Sequence, residues 1–242
     1  MNPFIKQGVG AQTQAVEFDA GLRAYMLQVY NYMASALVLT GLVSYVAGTS
    51  EAFLKLMFTV NDQGGMSVSP LAWIIMFAPL GMVFFLGARL HTLSKTAAQA
   101  SFWIFSVLMG LSLFYVFAIY TGESIARVFF ITAGTFGAMS LYGYSTKKDL
   151  TGWGSFLMMG VLGIFIASIV NIFLHSSGLQ FAISVIGVLL FTGLTAYDTQ
   201  RIKSTYYAMG AAGNAAIMGA LNLYLDFINL FIMLLRLFGD RR

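Results

Sequence analysis

Cysteine is absent from the 242 residues, which excludes a disulfide framework, thiol chemistry and any Cys-ligated metal. Charge is scarce as well. Nine per cent of residues are Asp, Glu, Lys or Arg, where a soluble domain carries about 25%. So few charges cannot clothe a water-facing surface. The 59% hydrophobic content and the mean hydropathy of +0.81 point to hydrocarbon as the solvent. No basic run interleaved with aromatics occurs, so the net charge of +4 fits loops facing anionic lipid and not nucleic acid. No EF-hand loop, P-loop, dinucleotide fingerprint or His/Glu metal motif is present, and the chain reads as a non-enzyme without a tightly bound cofactor. The two histidines, His91 and His175, sit near expected loop ends and read as interfacial polar residues.

Residues 1–22 are polar, with Lys6, Glu17 and Asp19 among glycines and glutamines. They read as a cytoplasmic tail ahead of a bundle over residues 23–242. The basic start and short apolar stretch of a cleavable signal peptide are missing, so the first span is expected to stay in the mature protein. A helix needs roughly 20 apolar residues to cross hydrocarbon. Charge-free windows give seven spans, at about 24–46, 71–88, 98–120, 128–144, two within 150–197, and 215–238. Pro79 lies inside the second, where neighbouring helices can re-satisfy the freed carbonyl. His175-Ser-Ser-Gly178 is the expected turn between the fifth and the sixth.

Positive charge marks the cytoplasmic side. With the N-terminus inside, the inner segments carry Lys6, Arg23, Arg89, Lys95, Lys147, Lys148, Arg201 and Lys203. The outer loops carry Lys55 and Arg127 beside Glu51, Asp62 and Glu123. Arg236, Arg241 and Arg242 break the bias. Either they are tolerated outside, or the last segment is re-entrant. Small residues four apart, Gly134 with Ala138 and Gly163 with Ala167, predict close helix contacts.

The last span carries the chemistry. Asn222, Asp226, Asn229, Met233 and Arg236 follow steps of four and three, which puts them on one helix face. A carboxylate near mid-span costs about 2.5–3.5 kcal/mol, so Asp226 is expected to face the bundle interior. Asp198 ends the preceding span in Thr195-Ala-Tyr-Asp-Thr-Gln200, and Ser184, Gly187 and Thr195 share its face. A carboxylate at a helix C-terminus meets the negative end of the dipole and needs compensation. Arg89, ending the second span, is a candidate partner and latch. Two converging carboxylates can bind a hard cation such as calcium or share a proton. Plainer readings remain for each: Asp198 hydrated at the interface, Asp226 as a structural hub, Arg89 and Arg236 as snorkelling anchors.

Three segments then resemble a known family. Gly134-Thr-Phe-Gly-Ala-Met-Ser-Leu-Tyr-Gly-Tyr144, Gly193-Leu-Thr-Ala-Tyr-Asp-Thr-Gln200 and Leu221-Asn-Leu-Tyr-Leu-Asp-Phe-Ile-Asn-Leu-Phe231 are similar to the Bax inhibitor-1 family, in its bacterial inner-membrane branch. The resemblance implies an all-α membrane protein of seven helices, six of them around a central C-terminal one. It implies a pH-sensitive calcium leak gated by an aspartate pair at Asp198 and Asp226, with an arginine latch near Arg89. Some bacterial relatives instead modulate a membrane-bound protease, so a non-conducting regulator is the second reading. An intramembrane aspartyl protease is disfavoured, because neither aspartate has the Gly-x-Gly-Asp context.

Overall fold

The computed structural model describes residues 3–60 and 66–242, with side chains over 20–59 and 67–242. Lys6, Glu17 and Asp19 of the polar tail, and Asp62 of the first loop, fall outside the described side chains. Among the described residues seven helices are long and apolar enough to cross a membrane. They are α1 (Pro3–Thr49), from Ala20 onward; α3 (Pro70–Arg89); α4 (Lys95–Ser112) continued by α5 (Phe114–Ile119); α6 (Gly122–Ser145); α7 (Thr151–Leu174); α8 (Ser177–Met209); and α9 (Ala215–Phe238). The chain is an all-α integral membrane bundle. Between α1 and α3 lie a short helix α2 (Glu51–Met57) and an antiparallel hairpin, β1 (Phe58–Val60) with β2 (Met66–Val68). No apolar window marks this stretch, and the hairpin is anchored by Met57 and Phe114 in a small separate core.

Four of the spans start where the chain supplies a side-chain cap. Ser69, Ser94, Thr121 and Ser176 accept a backbone N–H at the first turn of α3, α4, α6 and α8, satisfying a donor that a helix start leaves orphaned. The α7–α8 turn falls at His175, which takes the left-handed conformation at φ 48°. At the other end Asp149, outside the spans, accepts from the Thr151 N–H at 2.8 Å, and these bonds hold its carboxyl below the usual carboxylate range.

One boundary differs from expectation. Instead of ending near Tyr197, α8 runs on to Met209, where Gly210 at φ 67° stops it. Charged residues end an apolar window without ending a helix, because the backbone hydrogen bonds continue into water. Asp198 therefore lies inside the helix, and the unfavourable C-terminal dipole invoked for it does not act there.

The seventh helix is the core. Seventy-eight per cent of its most apolar stretch is buried, against 17 to 44% for the other six spans. It also crosses end to end. At its start the Asn214 amide donates to the carbonyls of Leu90 at 2.8 Å and Leu93 at 2.9 Å, in the α3–α4 turn. Beyond its end, Thr121 N–H donates to Asp240 O and Arg242 N–H to Ile119 O, in the α5–α6 turn at the opposite end of the bundle. Twenty-four helical residues at about 1.5 Å each span about 36 Å, more than the roughly 30 Å of hydrocarbon. The last segment is not re-entrant. Two of its basic residues find surroundings at that end: Arg241 lies 6.0 Å over the Tyr120 ring, and Arg236 acts electrostatically on the Tyr115 hydroxyl.

Close packing occurs at glycines other than those the four-residue spacing picked out. A Cβ at Gly143 would meet Ala196 O of α8 at 2.2 Å, and one at Gly110 would meet Thr40 O of α1 at 2.7 Å. Gly134 and Gly163 have nothing within 4 Å and face outward. Between α4 and α5 the helix breaks at Leu113, whose carbonyl accepts the Ser44 hydroxyl at 2.8 Å. That carbonyl also accepts the Val116 N–H at 3.0 Å, so the neighbouring helix adds a second donor at the break.

Candidate functional site

Asp198 and Asp226 meet where α8 and α9 run antiparallel. The register is fixed by two glycines: Gly187 of α8 abuts Met233, and Gly219 of α9 abuts Ile202. The α9 face carrying Gly219, Asn222, Asp226, Asn229 and Met233 is therefore the face that meets α8. That register sets Asp198 within one turn of the level of Asp226, near enough for the two carboxyl groups to act on each other electrostatically. Asp226 is 5% exposed, midway along the most buried helix. Its Oδ2 is buried and has no hydrogen-bond partner among the described residues. A carboxylate oxygen left without a donor in such surroundings costs several kcal/mol on the order of a lost charged hydrogen bond. A proton shared with Asp198, or a cation, would relieve it.

The rest of the predicted site distributes unevenly. Asn229 donates back to Leu225 O of its own helix at 2.9 Å, and Asn222 is half-buried beside the Asp198 level. Arg236 is exposed at the far end of α9. Arg89 is exposed at the end of α3 and forms no ion pair among the described residues. The cation that acts electrostatically on Asp198 is Arg201, one turn on in α8. No group of three or more Asp, Glu, His or Cys side chains gathers among the described residues. Calcium favours six to eight oxygens, so two carboxyls fit a passing ion and not a resident one.

Sequence reading missed two buried hydroxyl chains that frame the pair. In the first, the Tyr30 hydroxyl bonds Ser140, Ser140 bonds Thr199 at 2.9 Å, and Thr199 donates to Thr195 O at 2.7 Å. It links α1, α6 and α8 one residue from Asp198. In the second, Tyr224 bonds the Thr40 hydroxyl at 2.6 Å, and Thr40 lies 2.9 Å from Ser106 O. Single polar residues on otherwise apolar helices were the available signal. Gln200 was also overlooked; it accepts from Leu150 N–H and donates to Lys148 O, both at 2.8 Å, tying α8 to the α6–α7 loop. Tyr224→Phe is expected to cost about 1 kcal/mol, read as a lowered unfolding temperature in detergent, since the Thr40 hydroxyl keeps Ser106 O as its acceptor.

Comparison with known proteins places this geometry in context. The family model described as "Inhibitor of apoptosis-promoting Bax1" matches residues 22–242. A protein of Caulobacter vibrioides is 49% identical over the whole of both chains. One of Rickettsia prowazekii is 52% identical over 93% of each. Inner membrane protein YbhL of Escherichia coli is 46% identical over 94% of this chain and 96% of its own.

Proposed function

The chain belongs to the Bax inhibitor-1 family, and from that premise we propose that it is a pH-sensitive calcium leak pathway gated by Asp198 and Asp226. The observation that carries the reading is the facing pair itself, with Asp226 Oδ2 buried and unpartnered on the central helix. Two carboxyls in contact away from bulk water hold a proton between them or attract a cation. With the proton present, α8 and α9 stay packed through Gly187 and Gly219 and the path is closed. Loss of the proton leaves two like charges in contact, which push the helices apart and offer oxygen ligands to a hard cation. Calcium is cargo in this scheme. The end of the bundle carrying Arg23, Arg89, Lys95, Lys147, Lys148, Arg201 and Lys203 is taken as cytoplasmic, with the N-terminus on that side.

One observation favours the second reading, a non-conducting regulator of a membrane-bound protease. The cavity beside the far end of α9 is lined by Arg236 and Arg241, with no carboxylate. Two guanidinium groups at a mouth oppose the entry of a divalent cation.

Calcium flux into proteoliposomes, followed from mildly acidic to mildly alkaline pH, decides between them. The expected result is flux that rises with pH in the wild type and loses its pH dependence in Asp198→Asn and Asp226→Asn. Flux no greater than that of empty liposomes at every pH would overturn the channel and leave the regulator.

A further inference from the structure

Helices α1 and α6 are held apart, with α9 lying behind them, and the gap is divided into two cavities. The cavity nearer the basic end has a volume of about 510 Å³. Its walls are apolar along most of their length, with Met26, Leu27 and Met33 on one side and Phe136 and Leu141 on the other. Arg23 stands at its mouth. That arginine is exposed and forms no ion pair or hydrogen bond among the described residues. Among the described residues no acidic side chain lines the cavity. A second cation adds to the field there: Lys203 Nζ donates to Tyr144 O at 2.8 Å and lies 5.1 Å over the ring of Tyr144, another wall residue.

We propose that this cavity binds one anionic phospholipid, its phosphate at Arg23 and one acyl chain along the α1–α6 groove. Length and charge choose this occupant together. From Arg23 to Met33 the α1 wall rises about 15 Å, half of the roughly 30 Å hydrocarbon core. The cavity is therefore one leaflet deep, with a cation at headgroup level and apolar walls to mid-membrane. A peptide or a second copy of the chain would have to bring its own anion to Arg23 and cover an apolar trough. The lipid supplies both from the solvent in which the protein sits. Its chain would lie against Tyr30 and Ser140, at the outer end of the hydroxyl chain that leads to Thr199.

The test titrates the purified, delipidated full chain with phosphatidylglycerol or phosphatidylcholine and counts bound lipid by native mass spectrometry. The Arg23 charge at headgroup level is expected to contribute about a fivefold preference for the anionic lipid, and Arg23→Gln to lower the preference by that factor, leaving the smaller share due to Lys203. Gly137→Phe supplies the second arm. Gly137 lines the cavity and has nothing within 4 Å of a Cβ placed there, so a side chain can leave the backbone freely and a phenyl ring would occupy the groove. It is expected to reduce binding of both lipids in a protein that remains helical and monodisperse. Equal binding of the two lipids by the wild type would overturn the proposal. So would an unchanged preference in Arg23→Gln, or full lipid binding by a folded Gly137→Phe.

Discussion

Asp226→Asn is expected to raise the unfolding temperature of the purified protein in alkaline buffer and to leave it nearly unchanged in acidic buffer. The asparagine keeps the shape of the side chain and supplies an amide donor toward Asp198. In the proposed gating scheme the wild-type pair carries like charges at alkaline pH, and the Asp226 carboxyl is 5% exposed on the central helix. Neutral replacement of a poorly compensated buried charge stabilises by on the order of 2 kcal/mol. In acid the wild-type pair holds its own proton, so the two proteins converge. The measurement is thermal unfolding in detergent at several pH values, followed by loss of the monodisperse peak in size exclusion. A gain that is the same at every pH would show that Asp226 acts through packing alone. No gain at any pH would show that the pair is already compensated, and the gating scheme would lose its driving force.

The second large effect is steric. Gly143→Ala would place a methyl 2.2 Å from Ala196 O and 2.9 Å from Ala196 Cα. These are backbone atoms of α8, which cannot rotate away as a side chain could. Either α6 and α8 separate, or the α8 backbone bends two residues before Asp198. Overpacking of this kind costs about 1–3 kcal/mol, and the rigid neighbour puts the expected loss near the top of that range. Gly134→Ala, in the same helix, meets nothing within 4 Å. It is expected to be neutral or to stabilise by up to about 1 kcal/mol, because alanine is the better helix former. The same unfolding assay reads both. Equal effects at the two positions would mean that α6 does not pack on α8 as described.

These two glycines also show where sequence reading stopped. Seven spans were legible because hydrocarbon demands long apolar windows, and Asp226 was legible because a carboxylate at mid-span demands an inward face. The spacing from Asn222 to Arg236 implied one inward face; α8 is the neighbour that Gly187 against Met233 puts there, while Arg236 lies exposed. Spacing alone could not say which side of α6 meets a neighbour, so Gly134 was chosen and Gly143 carries the contact. Nor could composition reveal that α8 continues through Asp198, Arg201 and Lys203, since helical hydrogen bonding survives the passage from lipid to water. The break at Leu113 has no proline or glycine to announce it. It depends on Ser44, some seventy positions earlier, and only the folded arrangement brings the two together. Arg89 was nominated for lying on the right side of the membrane, whereas Arg201 reaches Asp198 by sharing its helix.

The burial of α9 bears on how the molecule is made. Chains are built from the N-terminus, so α1, α4, α6 and α8, the spans that pack on α9, leave the ribosome before it. Until α9 arrives, Phe102, Phe105 and the Thr40 hydroxyl lack the Tyr224 ring and hydroxyl that they meet in the finished structure. The early spans must then stand as an incomplete ring, filled by lipid or held by the insertion machinery. Asp226 would enter the membrane by this route, directly into a space already walled by protein, and would never cross bare hydrocarbon as an isolated charge. Biogenesis here is a late insertion of the centre, and a chain halted before residue 215 would be a hollow shell exposed to quality-control proteolysis.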